Sequence, residues 1–112
     1  MSENFGQRVR RLREAKQLGL RETAKKLDIS AAYLSRIETS EERTPPAEDV
    51  IQKLADLLSD EFDELMRLAG RIPSDVKEYI TKEGMPQFLR TAKERKLTAK
   101  QLEEMLEAKK RK

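Results

Sequence analysis

Apolar residues recur three and four positions apart along nearly the whole chain and almost nowhere alternate one by one with polar ones. That is the period of a helix and not of a strand, so the fold it dictates is all-α. Phe5, Val9 and Leu12 form a first stripe, on a helix expected over 4–16. Gly19 caps a short second helix, 20–27, with Glu22 in the first turn, where a carboxylate suits the positive end of the helix dipole. Asp28-Ile29-Ser30 reads as a tight turn, and Ser30 as the N-cap of a third helix ending near Thr39. The polar loop "TSEERTPP" is closed by Pro45 and Pro46. Beyond it, Val50, Ile51, Leu54, Ala55 and Leu58 face inward on a fourth helix, 47–58. Phe62, Leu65, Met66 and Ala69 do the same on a fifth, 61–69, stopped by Gly70.

A boundary follows at "GRIPS". Pro73 cannot continue a helix, Ser74 can start one over 75–83, and Gly84 can end it. After Met85-Pro86 come helical stretches at 87–96 and 99–109, the second opened by Thr98 and Gln101 at capping-box spacing. The closing "KKRK", 109–112, is expected to fray. The chain therefore divides into a domain at 1–70, a linker with a short helix at 71–86, and a helical pair at 87–112. Two stretches, "LREAKQLGLRETAKKL" and "LRTAKERKLTAKQLEEML", share a pattern of helix, short turn, helix.

Hydrophobic residues make up 37% of the chain and charged residues 40%, so the core must be economical. The chain has no cysteine and no histidine. Disulfides and thiolate metal sites are excluded, and the commonest general base and metal ligand is absent. No cofactor, metal site or catalytic residue is expected. No apolar run approaches the roughly 20 residues that span a bilayer, and the opening residues lack a signal-peptide core. A cytoplasmic protein with no membrane partner is the expectation. Residues 2–43 hold ten Lys/Arg against seven acids, 44–70 two against seven, and 71–112 twelve against seven. A basic front and tail around an acidic middle suit a DNA-contacting face backed by a solvated one.

Helix, three-residue turn, helix is the pattern of a helix-turn-helix. Ala24 stands where the next helix must cross closely, Ile29 plugs the turn, and Leu34 and Ile37 face inward. Ala31, Ala32, Ser35, Arg36 and Thr39 are then left for the outer face. Packing alone fits an ordinary helical bundle equally well. The segment "RVRRLREAKQLGLRETAKKLDISAAYLSRIETSEERTPP" resembles the Cro/C1-type (XRE) helix-turn-helix regulators, and the likeness runs over roughly residues 5–70. It implies a five-helix DNA-binding domain and an ion pair between Arg13 and Glu38 tying the first helix to the third. The tail "QFLRTAKERKLTAKQLEEMLEAKKRK" resembles the helix-loop-helix dimerisation module of the Sin family of repressors and antirepressors. Residues 74–84 depart from that pattern, which leaves the target genes and any small protein antagonist open.

The alanines at the start of the third helix can read DNA only by apolar contact with a thymine methyl. Hydrogen bonding to bases then falls on Arg36, which can reach guanine O6 and N7 together, and on Ser35. Backbone N–H groups at Leu20 and in the Arg43-Thr44 loop suit phosphate, helped by the charges of Arg21 and Lys25 and by Thr39. Tyr33 either touches phosphate or packs against the turn. Glu41 and Glu42 lie near the expected phosphate path and soften affinity. Phe88, Leu89, Ala92, Leu97, Leu102, Met105 and Leu106 make an apolar stripe that two short helices cannot bury alone. It can pack on the main domain or pair with a copy of itself, and self-pairing is the expectation.

The leading expectation is a dimeric or tetrameric repressor on an operator in double-stranded DNA. A small protein antagonist pairing with the C-terminal helices is the further partner that the Sin likeness implies. The alternative is an antitoxin or co-regulator whose main role is protein–protein interaction through those helices.

Overall fold

The computed structural model describes residues 2–110. Its elements, all helical, are α1 (Phe5–Ala15), α2 (Leu20–Leu27), α3 (Ala31–Glu38), α4 (Glu48–Leu58), α5 (Phe62–Leu68), α6 (Ser74–Ile80), α7 (Met85–Glu94) and α8 (Ala99–Lys110). They fall into two compact units, Met1–Pro73 with α1 to α5 and Ser74–Lys112 with α6 to α8.

In the first unit each helix sends its apolar stripe to one core. Val9, Leu27, Leu34, Ile51, Leu54, Leu58, Leu65 and Met66 are all buried there. Burying a side chain of this size stabilises by about 1.5–3 kcal/mol. Ala24 and Ile37 are buried beside them, and Leu12, Ile29, Val50 and Phe62 close the rim. Gly6 is buried as well. A Cβ at that position would lie 2.7 Å from the Glu38 carbonyl oxygen and nearer still to that of Ile37, so the missing side chain is what lets α1 meet the end of α3.

The helix starts have specific caps. Asn4 accepts from the Gln7 N–H at 2.8 Å while the Gln7 side chain accepts from the Asn4 N–H at 3.0 Å, a reciprocal capping box. Ser30 accepts from the Tyr33 N–H at 3.0 Å. Thr98 and Gln101 repeat the box on α8, at 2.9 and 3.1 Å. The ends of α1 to α5 and of α7 share one device, a residue in the left-handed region that turns the chain back onto the last carbonyls. Gln17, Asp28, Ser40, Ser59, Lys96 and Gly70 all have φ between 55° and 73°. A glycine fills this position only at the end of α5.

Several expected boundaries shift. The first, fourth and fifth helices each start one residue later than expected, because Asn4, Ala47 and Glu61 are N-caps with extended backbones, while the third keeps its expected Ser30 cap and ends at Glu38. α6 stops at Ile80, and Gly84 does not end it: Gly84 is the N-cap of α7. α7 begins at Met85, ahead of the expected Gln87, because Pro86 lacks an N–H that the first turn would leave unpaired anyway. It ends at Glu94, where Lys96 takes the left-handed conformation. At the C-terminus Lys109 and Lys110 continue α8 where fraying was expected, and positions 111 and 112 lie outside the described residues.

Candidate nucleic-acid interface

α2 and α3 are joined by a left-handed Asp28 and an extended Ser30. The Ile29 N–H donates to the Ala24 carbonyl at 3.0 Å, which closes the end of α2. Thr23 is fully buried, and its hydroxyl donates to the Gly19 carbonyl at 2.8 Å. With Leu34 and Ile37 buried, the opposite side of α3 is the one that faces out.

α3 is held from behind by a nearly dry ion pair. Arg13 Nε donates to Glu38 Oε2 at 2.7 Å and Nη2 to Oε1 at 3.0 Å, while Nη1 donates to the Leu18 carbonyl at 2.8 Å. The two side chains are only 12% and 4% exposed. The hydrogen bond that Arg13 donates to Glu38 raises the Arg13 pKa above its ordinary value, so the charge is secure. Such a pair orients more than it stabilises, yet removing one partner strands a buried charge at a cost of about 3–5 kcal/mol. A second clamp, Arg8 on Asp60, ties α1 to the end of α4 through bonds of 2.7 Å each. Asp60 follows a serine at a helix end and carries no periodic signal, so sequence reasoning missed it.

The expected DNA-facing residues do not all share one environment. Ala32 and Arg36 are exposed and Ser35 is half-buried, all on α3. Ala31 is half-buried and packs against the core, because the first turn of α3 follows so closely on α2. Tyr33 is half-buried against the same core, and the Arg36 guanidinium stands 5.9 Å from its ring centroid. The Leu20 side chain packs inward while its N–H opens α2 behind a side-chain-free Gly19. Arg21 and Lys25 are exposed on α2, as are Arg43 and Thr44 in the loop after α3. That loop is anchored by Arg71, which donates to the carbonyls of Pro46 at 2.6 Å and Pro45 at 3.0 Å. The Thr39 hydroxyl is engaged internally, with the Ser35 carbonyl at 3.1 Å and Glu41 Oε1 at 2.9 Å. Glu42 is tied directly to Arg36. Its carboxylate accepts from Arg36 Nε at 2.6 Å.

In the second unit the apolar stripe is divided. Ala92 is buried, Leu97 and Leu102 are half-buried, and Phe88, Leu89, Met105 and Leu106 are exposed. Among the described residues no group of acidic, histidine or cysteine side chains could hold a metal ion. No helix among them is long and apolar enough to cross a membrane.

Three comparisons bear on this geometry. Residues 4–68 match the family model of a helix-turn-helix domain. The HTH-type transcriptional repressor RghR of Bacillus subtilis (strain 168) is 40% identical over 70 residues, which cover 62% of this chain and 51% of RghR. The chain spans about half the length of the curated relatives it matches. Among solved structures, SinR, the master regulator for biofilm formation, in complex with DNA is 31% identical, with a TM-score of 0.50 over 55% of this chain and 97% of that one. The SinR–SinI protein complex is 26% identical, with a TM-score of 0.50 over 95% of this chain and 94% of that one.

Proposed function

This chain belongs to the helix-turn-helix domain family, in its Cro/C1 (XRE) type, and on that premise we propose that it is a sequence-specific transcriptional regulator, a repressor that reads the major groove with α3. The observation that carries the reading is the mounting of α3. One side is locked by Leu34, Ile37 and the Arg13–Glu38 pair, and the other presents Ala32, Ser35 and Arg36. Arg36 supplies the bidentate donor for a guanine edge, Ser35 a single polar contact, and Ala32 with the edge of Ala31 an apolar contact to a thymine methyl. Arg21, Lys25, the α2 N-terminus at Leu20 and the Arg43-Thr44 amides hold phosphates and set the register. No catalytic step, cofactor or metal belongs to this reading.

So few base contacts specify only a short half-site, so selective binding needs two copies. The exposed Phe88, Leu89, Met105 and Leu106 are the association surface assigned to that task, with residues 87–112 as the dimerisation module after a linker at 71–86. Support comes from the SinR–SinI complex, whose likeness extends over this part of the chain. The same surface favours a second reading, a co-regulator or antitoxin acting chiefly through a protein partner such as a small antagonist.

Selection of bound fragments from the source genome at about 150 mM salt, where phosphate contacts alone are weakened, separates the two. A repressor enriches an inverted or tandem repeat whose half-sites are a helical turn or more apart, and the repeat counts the copies. Recovery without any shared sequence contradicts the repressor reading and favours the partner-protein one.

A further inference from the structure

The end of α3 is folded back onto itself in a way that bears on its reading side chain. Ser40 takes the left-handed conformation, φ 64°. The Ser40 N–H then donates to the Ile37 carbonyl at 3.2 Å, and the Glu41 and Glu42 N–H groups donate to the Arg36 carbonyl at 2.8 and 3.4 Å. This helix stop returns the next two residues to the last turn of α3. Glu42 therefore arrives beside Arg36 by backbone geometry, not by chance encounter of two long side chains. Its carboxylate is 27% exposed and Arg36 is 45% exposed. The bond is made by Nε, on the inner edge of the guanidinium. Tyr33 stands one turn earlier on the same helix, with its ring within cation–π range of Arg36.

A guanidinium can meet an acceptor pair side-on, with Nε and one Nη, or end-on, with both Nη groups. A carboxylate on Nε leaves only the end-on fork to an incoming base. An unrestrained arginine also brings many rotamers to the groove, and fixing it beforehand removes that loss from the binding step.

We propose that Glu42 is a positioning residue for base recognition, which holds Arg36 Nε so that its two Nη groups face an adjacent pair of acceptors such as guanine O6 and N7. The inference rests on Arg36 as the reader. Glu42 itself touches no base. Its negative charge near the phosphate path lowers general affinity while sharpening preference at one base pair. It acts, in effect, on selectivity and against strength.

The test is selection from a randomised duplex library by the full-length protein and by three variants, Glu42→Ala, Glu42→Gln and Arg36→Ala, each first checked for wild-type circular dichroism. Preference at each base pair is scored alongside affinity for a fixed unselected duplex. Arg36→Ala should erase the preference for one guanine. Glu42→Ala should weaken that same preference roughly 3- to 10-fold, a fraction of what a bidentate pair supplies, while binding to the unselected duplex holds or tightens. Glu42→Gln keeps an acceptor for Nε and should retain most of the preference. A merely structural role for Glu42 would move all sequences together and leave the ratio intact. If Arg36→Ala loses the preference and Glu42→Ala keeps it, the positioning role is overturned while the reader stands. If Arg36→Ala itself leaves every preference unchanged, or the wild type selects nothing, the reader assignment and this proposal fall together.

Discussion

Gly6 is the residue whose absent atom matters most. Its neighbours across the helix contact are backbone carbonyls of Ile37 and Glu38, which cannot swing aside as a flexible side chain would. Alanine is the better helix former by about 1 kcal/mol, so propensity alone predicts that Gly6→Ala stabilises. The overlap decides the other way. Forcing a methyl into a packed contact costs about 1–3 kcal/mol, and a thermal melt should show a lower midpoint for Gly6→Ala; a raised midpoint would mean α1 and α3 can part freely. A glycine stands inside the run Phe5 to Val9, where the helical pattern gives no reason for it. It names no partner, however, and only the fold shows that the contact is with the last turn of α3. Arg13 and Glu38 were legible through the family resemblance, whereas Glu42 as the companion of Arg36 was not. A bond between residues six apart, across a helix end, depends on how the helix stops.

At the scale of elements, the way helices end explains what sequence reasoning could and could not place. Stripes such as Ile51, Leu54, Ala55 and Leu58 show the core plainly because burial repeats with the helical turn. The starts at Ser30 and Thr98 carry polar caps that are equally readable. The stops are harder, since Gln17, Asp28, Ser40, Ser59 and Lys96 adopt the conformation normally reserved for glycine or asparagine. Backbone bonds to the preceding carbonyls hold them there, and apart from Asp28, which reads as a turn residue, no residue-type rule marks them. Asp60, just after one such stop, joins α1 to α4. The Arg8 hydrogen bond holds its carboxyl below the ordinary value of 3.8, against the opposing effect of burial. A lowered folded-state pKa contributes stability that is complete above the ordinary value and lost as pH falls through the folded one. Asp60→Asn should therefore cost about 1.5–3 kcal/mol near neutral pH, as for hydrogen bonds between charged groups. The gap from wild type should then narrow progressively once pH falls below about 3.8. Denaturant melts over a pH series check this, and a gap independent of pH would show that the pair's charge does not matter.

For the whole molecule, the two units divide the labour in the proposed account: one presents a rigid reading helix and the other an exposed apolar surface that supplies a second copy. The central claim is that selectivity lies in Arg36 on α3 and strength in the phosphate-facing charges of α2. The most direct measurement is the affinity of wild type, Arg36→Ala and Lys25→Ala for a selected duplex and for a scrambled duplex of equal length, at one salt concentration. Arg36→Ala should lower the ratio of the two affinities by roughly 5- to 150-fold, equivalent to about 1–3 kcal/mol of base discrimination. Lys25→Ala should weaken both duplexes alike and leave the ratio in place. A ratio unchanged in Arg36→Ala, or lost in Lys25→Ala, would contradict the account.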